Sequence, residues 1–335
     1  DELSDGDLIE CGSRRVLLDL ITVLARGPFQ PTVFLATDGR YSRALQDLGA
    51  RVVTGLIPSQ VRLYHLVGNR AIPSPWGMFR SGSRVPAGVV RLARAYRDAG
   101  VEVVYLSTPM AHVIGGAAAR LAGLPSVCHV QGRVQARHRV RLMLHVYRTW
   151  IRLCGCTSVA ISDYVADSVA PAGPSRPRVI RNATDTVRFH PGPYRPETFE
   201  RIGLDPSDGP IVVTVSNVTR LKRVDLLPRF AERICRTVSN ARFLVCGGLP
   251  DRPYAESIRA DIEARGLADR VRSAGVVRDM PDVLRGCALA AHFCKDEGFG
   301  LSVTEALATG LPVVAFASGG PAELKVADVY QEVLW

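Results

Sequence analysis

The sequence predicts an α/β protein with two domains, each built on a doubly wound parallel sheet. Short β-branched apolar runs alternate with segments of helical periodicity, and this alternation occurs twice along the chain. A stretch rich in proline and glycine separates the two series. Continuous apolar strands that alternate with helices are typical of parallel sheets covered on both faces. A chain of 335 residues is long enough for two such domains.

The first series makes residues 1–190 the first predicted domain. Between its strands, RRVLLDLITVLAR, PAGVVRLARAYRDAG and AHVIGGAAARLAG have the apolar spacing of helices. The predicted strands are PTVFLAT, VEVVYLS, PSVCHV and TSVAIS, at 31–37, 101–107, 125–130 and 157–162.

The second series makes residues 211–335 the second predicted domain, after a linker at 191–210. Its predicted strands are IVVTVS, ARFLVC, CALAAHF and LPVVAF, at 211–216, 241–246, 287–293 and 311–316. Ligands of doubly wound sheets bind at the carboxyl ends of the strands. We therefore expect two domains facing each other across a ligand-binding cleft.

Composition narrows the classes of function. No apolar run reaches the length of a membrane-spanning helix and no segment is typical of a signal peptide, so we expect a cytoplasmic protein. The eight cysteines form no CxxC pair, which favours free thiols over a zinc site. The net charge of +10 favours phosphorylated ligands or anionic membranes. The chain has no sequence signature of nucleic-acid binding, so nucleic acid is not an expected partner.

The segment EGFGLSVTE, residues 297–305, follows a predicted strand and begins a predicted helix. Backbone amides at a helix N-terminus are unpaired donors and lie at the positive end of the helix dipole, which suits a phosphate. Glu305 lies about one turn into the helix, where its carboxylate can accept hydrogen bonds from sugar hydroxyls. Two simpler interpretations stay open: Ser302 and Glu305 form a capping box, and Glu297 is a solvated loop residue.

A basic loop follows the first strand of the second domain. Arg220, Lys222 and Arg223 cluster there, and such cations can neutralise a diphosphate. The alternative is a solvated basic turn. In the first domain, Gly12 can form a tight turn before a helix.

Taken together, these motifs resemble glycosyltransferase family 4, of the GT-B fold. The resemblance covers nearly the whole chain through CGSRRVLLDLITVLA, AHVIGGAAARLAGLPSVCHVQG, VIRNATDTVRFHP, SNVTRLKRVDLL and EGFGLSVTEALATGLPVVA. The last contains the family's pair of glutamates eight positions apart, here Glu297 and Glu305.

The resemblance implies a retaining, metal-independent glycosyltransferase that uses a nucleotide-diphosphate-sugar as its donor substrate and needs no cofactor. Glu297 would face the donor sugar, and Glu305 would hold the ribose. The diphosphate would lie between the backbone of Gly298, Phe299, Gly300 and Leu301 and the side chains of Lys222 and Arg220. Gly12 and Asn217 would complete the donor site. The chain's one D-x-D, Asp5-Gly6-Asp7, is expected to be a solvated turn rather than a metal site.

Several positions depart from the family pattern. Gln131 stands where the family frequently has a histidine at the end of a strand, and an amide cannot act as a base. The family commonly has an arginine a few residues before the lysine; here Asn217 stands five residues before Lys222 and Arg220 stands two before it, so either can complete the clamp. Ala183 replaces the glycine after Asn182. The chain also begins after the family's first strand and ends before its last helix, so an incomplete donor site is expected.

The acceptor is expected to be a glycan or a lipid-linked molecule. In RHRVRLMLHVYRTWIRLCG, residues 137–155, basic side chains lie on one helical face and apolar side chains on another. Basic amphipathic helices can lie on anionic lipid, so we expect peripheral association with an anionic membrane surface. A core helix with a solvated basic face is the alternative.

Two other functions stay open at this point. One is a sugar-nucleotide epimerase on the same scaffold, which would consume donor without an acceptor. The other is a truncated or non-catalytic homologue that binds nucleotide without turnover. An oxidoreductase is disfavoured because no G-x-G-x-x-G follows a first strand.

Overall fold

The computed structural model describes residues 12–57, 64–67, 70–73, 75–133 and 140–324. The chain folds as two compact units, and the division falls between Ile180 and Arg181. Residues 162–164 belong to the second unit, although they precede this point. Both units contain parallel sheets packed against helices, which confirms the predicted α/β class.

The first unit contains a four-stranded parallel sheet with the order β5-β6-β7-β8, together with a parallel β1-β2 pair and an antiparallel β3-β4 pair. Its strands are β1 Thr32–Leu35, β2 Arg51–Thr54, β3 Tyr64–Val67, β4 Arg70–Pro73, β5 Val104–Leu106, β6 Ser126–Val130, β7 Thr157–Ala160 and β8 Arg178–Val179. The helices are α1 Gly12–Ala25, α2 Arg40–Asp47, α3 Pro75–Asp98, α4 Pro109–Ala122, α5 Val140–Cys154 and α6 Asp163–Val169.

The core of the first unit lies between the four-stranded sheet and helices α3, α4 and α5. Tyr96 of α3, Leu106 of β5 and Ile114 of α4 are buried together there, and so is Ile151 of α5. Leu144 and Ile151 of α5 are thus buried, as in the core-helix alternative, whereas Val146 and Leu153 of the same helix are exposed. Arg152, one residue after Ile151, is exposed.

The second unit contains one five-stranded parallel sheet with the order β11-β10-β9-β12-β13. Its strands are β9 Ile211–Val215, β10 Arg242–Cys246, β11 Val271–Gly275, β12 Leu289–His292 and β13 Val313–Ala315. The helices are α7 Pro196–Ile202, α8 Leu227–Cys235, α9 Arg252–Ala264, α10 Met280–Arg285 and α11 Leu301–Ala308. The chain enters at the central strand, builds outward through β10 and β11, and then crosses to β12, so the sheet is doubly wound.

Both faces of this sheet are buried, because successive side chains of a strand point in opposite directions. On β9, Ile211 and Val213 face one core, which also holds α7, α10 and α11. Val212 faces the other core, with α8 and α9. This explains why IVVTV reads as a continuous apolar run rather than an alternating one.

The segment predicted to be a linker packs into the core of the second unit. Phe199 is 1% exposed and lies in one core with Leu284 of α10 and with Phe189, which precedes this segment. Arg195 donates its backbone amide to both carboxylate oxygens of the buried Asp282, at 3.1 Å. Proline and glycine here mark the turns around α7, whose C-cap Gly203 has φ of 75°, rather than a connection between units.

The seven cysteines among the described residues are free thiols, and four of them are buried. Cys11 and the segment Asp5-Gly6-Asp7 lie outside the described residues. Within the described part of the chain, no helix combines the length and the apolar character that crossing a membrane requires.

Candidate active site

The second unit has its topological switch point between β9 and β12, where the direction of strand addition reverses. Ligands of doubly wound sheets bind at such points, outside the carboxyl ends of the strands. The loop after β9 carries Arg220 and Lys222, and the loop after β12 carries Glu297. Topology therefore brings the two loops that the sequence singled out to the same place.

An ion pair joins these two loops. Lys222 Nζ lies 2.6 Å from Oε2 of Glu297, and the two side chains are 28% and 16% exposed. His292, the last residue of β12, lies on the same oxygen, with Nε2 at 3.3 Å. That nitrogen is buried and makes no well-aligned hydrogen bond. The carboxylate of Glu297 is thus held between a cation and an imidazole.

This environment keeps Glu297 ionised. Burial by itself would raise the pKa of its carboxyl group, because a low dielectric disfavours charge. The nearby His292 and the positive charge of Lys222 outweigh burial and lower the pKa to about 2. At neutral pH the loop after β12 therefore presents a fixed negative charge at the switch point.

Three side chains here have the chemistry of metal ligands. One nitrogen of His292, the thiol of Cys294 and one carboxylate oxygen of Glu297 lie within 4.8 Å of one another. However, the ammonium group of Lys222 already neutralises the carboxylate at 2.6 Å. A divalent cation would have to displace it or sit beside it, so this geometry suits an ion pair better than a metal.

The other two predicted cations of the basic loop, Arg220 and Arg223, form ion pairs with other carboxylates. Arg220 pairs with Asp251 at 3.4 Å and stacks over the ring of Tyr254 at 5.0 Å. Arg223 has a left-handed backbone, with φ of 54°, and pairs with Asp225 at 3.0 Å. Lys222 is thus the member of this cluster that contacts Glu297.

Asn217 fastens the loop after β9 to the loop after β10. Its Oδ1 accepts from the amide of Gly248 at 2.9 Å, while the amide of Val218 donates to Gly248 O at 2.9 Å. The two backbones approach so closely that a Cβ on Gly247 would lie 2.1 Å from Ser216 O. The predicted donor-binding residue Asn217 therefore contributes to the architecture of the site.

The glycine loop after β12 is supported by a second glycine pair. A Cβ on Gly319 would lie 2.5 Å from Glu297 O, and one on Gly320 would lie 2.4 Å from Gly298 O. Gly320 also donates its amide to Glu297 O at 2.8 Å. The segment after β13 thus fixes the backbone that carries Glu297, a role that sequence reasoning missed.

Helix α11 begins at Leu301, and Gly300 is its N-cap residue with φ of 94°. The first full helical hydrogen bond runs from Thr304 to Gly300 O at 3.1 Å. The amides of Leu301 and Ser302 therefore lack an acceptor within the helix and are suited to an anion. Because the helix starts before Ser302, the capping-box interpretation of Ser302 and Glu305 is wrong.

The remaining predicted residues of this loop lie in and around α11. Phe299 is buried, at 5% exposure, so its contribution to a ligand would come from its backbone. Glu305 is half-buried on α11. Beside it, Thr184 donates its hydroxyl to Oγ1 of Thr304 at 2.6 Å, so the segment containing Asn182 lies along this helix.

In the first unit, Gln131 follows directly after β6. Its side chain interacts with Tyr105, whose hydroxyl also contacts Nδ1 of His129. Within the described structure, Nε2 of Gln131 is buried without a hydrogen-bond partner. Burial lowers the pKa of His129 to about 4, helped by the charge of His112, and raises that of Tyr105 to about 12. His129 and Tyr105 are therefore both neutral at pH 7.

Gly12 is exposed at the first position of α1. It is placed in the first unit, whereas the other predicted donor-binding residues are in the second. His292 was missed by sequence reasoning, although its place at the end of a predicted strand, five residues before Glu297, was a usable signal.

Comparison with known proteins identifies the family of both halves. The model of the family described as Glycosyltransferase Family 4 matches residues 11–188. The model described as Glycosyl transferases group 1 matches residues 196–331.

Two curated relatives are GDP-mannose-dependent alpha-(1-6)-phosphatidylinositol monomannoside mannosyltransferases. The protein of Mycolicibacterium smegmatis is 30% identical over 261 residues, which are 71% of this chain and 64% of the relative. The protein of Mycobacterium tuberculosis is 30% identical over 276 residues, which are 76% of this chain and 68% of the relative. The matched region therefore spans about two thirds of the length of these relatives.

Solved structures support the fold. The Anabaena protein Alr3699/HepE, crystallised in complex with UDP and glucose, matches with a TM-score of 0.73 and 21% identity, over 94% of this chain and 80% of that chain. A glycosyltransferase from Rickettsia africae matches with a TM-score of 0.74 and 15% identity, over 95% and 79%. The chain thus has the GT-B fold and belongs to glycosyltransferase family 4.

Proposed function

We propose that this chain is a retaining, metal-independent glycosyltransferase that moves a sugar from a nucleotide-diphosphate-sugar to a glycan or lipid-linked acceptor. The observation that carries the proposal is the Lys222–Glu297 ion pair at the switch point of the second unit, 2.6 Å long and next to the start of α11. It combines a cation for a diphosphate with an ionised carboxylate for a sugar.

In this proposal the diphosphate binds between Lys222 and the amides that precede the first helical hydrogen bond of α11. Both are held in place before the donor arrives, the amides by the glycine contacts after β13 and the lysine by Glu297. Groups fixed in this way stabilise developing charge without reorganising during the reaction. Glu297 faces the sugar, and Glu305, on the same helix, holds the ribose.

The reaction breaks the bond between C1 of the sugar and the diphosphate oxygen. The electron pair leaves with the diphosphate, whose growing negative charge meets Lys222 and the helix N-terminus. The acceptor hydroxyl attacks C1 from the same face, and its proton passes to the leaving phosphate oxygen. Gln131 cannot accept that proton, because an amide is not a base at this pH, so we assign it to positioning.

The relatives suggest the first substrates to test. Two of them are described as GDP-mannose-dependent enzymes that act on a phosphatidylinositol monomannoside. We propose GDP-mannose as the first donor and a phosphatidylinositol-type glycolipid as the first acceptor. Such an acceptor would bring the protein to a membrane surface, for which the net charge of +10 is favourable.

The test is a turnover assay with GDP, UDP and ADP sugars, each with and without a lipid or glycan acceptor. Transfer should depend on both substrates, keep the anomeric configuration of the donor and persist in EDTA. Glu297→Gln should lower turnover by about 10²–10³. Glu263→Gln, which removes an exposed carboxylate on α9, is the matched control.

Other outcomes would contradict the proposal. Donor consumption that is indifferent to acceptor would favour an epimerase. Stabilisation by nucleotide diphosphates without turnover of any donor would favour a non-catalytic homologue. Inversion at the anomeric carbon would refute the retaining mechanism.

A further inference from the structure

We infer that the first unit carries a separate anion site, a pocket that binds a phosphate group. The pocket lies at the amino-terminal end of β7 and β8, which begin at Thr157 and Arg178. The second half of α5 forms another wall. Gln131 and His129 lie at the carboxyl end of β6 in the same parallel sheet, so this pocket is at the opposite edge.

Four arginines line this pocket: Arg148 and Arg152 from α5, Arg176 from the segment before β8, and Arg178 from β8 itself. Among the described lining residues there is no carboxylate. Asp167 neutralises Arg176 from outside the lining, at 3.0 Å. Like charges gathered around one cavity repel one another, and a bound anion removes that repulsion.

Two of the guanidinium groups are held by the protein itself. Arg148 donates from Nε to Val169 O at 2.5 Å, and Arg152 donates from Nη2 to Oγ of Ser175 at 2.5 Å. Each guanidinium group carries five N–H donors in a rigid plane, so one bond to the protein leaves others for a ligand. Fixed guanidinium planes match the oxygens of a phosphate in a bidentate manner.

The size and lining of the pocket define the ligand class. Its volume is about 210 Å³, below the range of about 300–1,000 Å³ typical of drug-sized pockets. The lining also includes Thr157, Ser158 and Ser175, which carry hydroxyl groups. A single phosphate dianion satisfies several cations and hydroxyls at once, whereas a nucleotide would not be enclosed.

The phosphate can belong to a soluble phosphomonoester or to the headgroup of a phospholipid. Arg152 and Arg178 are both exposed, so either source can reach them. The inference of this anion site is independent of the proposed transferase activity, because none of the lining residues belongs to the donor site.

A cysteine in the lining provides a local readout. Cys156 accepts a hydrogen bond from the hydroxyl of Ser126 at 3.1 Å. Its interactions with Cys128 and Ser126 lower the pKa of its thiol, and the residue is half-buried. Occupancy of the pocket should therefore protect Cys156 from iodoacetamide, while binding at the second unit should not.

The experiment measures Cys156 alkylation by peptide mass spectrometry, and affinity by calorimetry, at constant ionic strength. The probes are inorganic phosphate and phosphatidylcholine vesicles with either phosphatidic acid or phosphatidylserine. Arg152→Gln/Arg178→Gln should bind phosphate at least about tenfold more weakly than wild type. Arg236→Gln/Arg259→Gln removes two exposed arginines of the second unit and is the matched control.

Protection of Cys156 by free phosphate, lost in the pocket variant and kept in the control, supports a soluble ligand. Protection by phosphatidic acid vesicles, but not by phosphatidylserine vesicles of equal charge, supports a lipid headgroup. If neither probe protects Cys156, or if the pocket variant binds phosphate as wild type does, the proposal is refuted. Transferase activity can be present or absent in any of these cases.

Discussion

The two units share parallel sheets but differ in the electrical character of the carboxyl ends of their strands. In the first unit, burial keeps His129 and Tyr105 neutral, with pKa values of about 4 and 12. In the second unit, Glu297 is half-buried yet ionised, with a pKa of about 2. The difference lies in the neighbours: Lys222 contacts Glu297, whereas His129 has a phenol beside it.

In the proposed reaction, we expect this contrast to separate donor chemistry from acceptor chemistry. A charged, preorganised edge suits a diphosphate and the charge that develops as it leaves. Neutral polar groups such as His129 and Tyr105 suit a hydroxyl substrate, which needs hydrogen bonds rather than ions. We therefore expect the second unit to carry donor chemistry and the first unit to contribute neutral polar contacts.

The largest expected effect is a loss of stability of the second unit. Phe199→Ala should lower the free energy of unfolding of that unit by about 3–5 kcal/mol, because it empties a fully buried ring position. Chemical denaturation followed by circular dichroism measures the loss. Phe29→Ala, at a residue of the first unit that is 62% exposed, is the control. A loss in the Phe199 variant as small as that in the control would support the predicted linker at residues 191–210.

Removing the ammonium group of Lys222 should weaken catalysis at the switch point of the second unit. Lys222→Met should lower kcat/KM by about 10²–10³, since it deletes a charge that stabilises the leaving diphosphate. Steady-state kinetics with the active donor measures this. Arg259→Met, at a position on α9 whose side chain is 80% exposed, should retain wild-type rates. Unchanged kinetics in the Lys222 variant would remove this residue from the mechanism.

Glu305→Gln tests the assignment of the ribose to the second unit. Losing a charged hydrogen-bond acceptor should weaken nucleotide binding by about 1.5–3 kcal/mol. Calorimetric titration with nucleoside diphosphates measures the change, and Glu263→Gln again serves as the control. An identical affinity in wild type and variant would show that Glu305 does not hold the ribose.

The smallest expected effect concerns how the stability of each unit depends on pH. The pKa of His129 falls from 6.5 to about 4 on folding, so the unfolded chain binds more protons in this window. The stability of the first unit should therefore fall as the pH drops, by about 1–2 kcal/mol between about pH 7 and pH 5. His129→Gln should flatten this dependence. The contribution of Glu297 is lost only as the pH falls from 4.5 toward about 2. A stability that rises on acidification would contradict the buried, neutral state of His129.

Much of the second unit could be predicted because its strands are continuous apolar runs bounded by glycine and polar loops. The same pattern predicted Lys222 and Glu297 as site residues, because both follow strands and the carboxyl ends of adjacent parallel strands lie at one edge of the sheet. It could not pair them, because Arg220 and Arg223 are equally basic and only the folded structure shows that they pair with Asp251 and Asp225.

Other parts could not be predicted for equally physical reasons. The segment around α7 has the composition of a linker, and only its packing shows that Phe199 belongs to the core. The strand β11, Val271–Gly275, contains an arginine and a serine and has no long apolar run. The roles of Gly319 and Gly320 depend on backbone contacts with a loop more than twenty residues earlier, which no local pattern encodes.

The most direct test of the central claim is a crystal structure of the protein with GDP-mannose or whichever sugar nucleotide it turns over. We predict that the diphosphate lies against Lys222 and the amides that begin α11, with the sugar facing Glu297 and the ribose at Glu305. A donor bound elsewhere, with the Lys222–Glu297 pair untouched, would contradict the account.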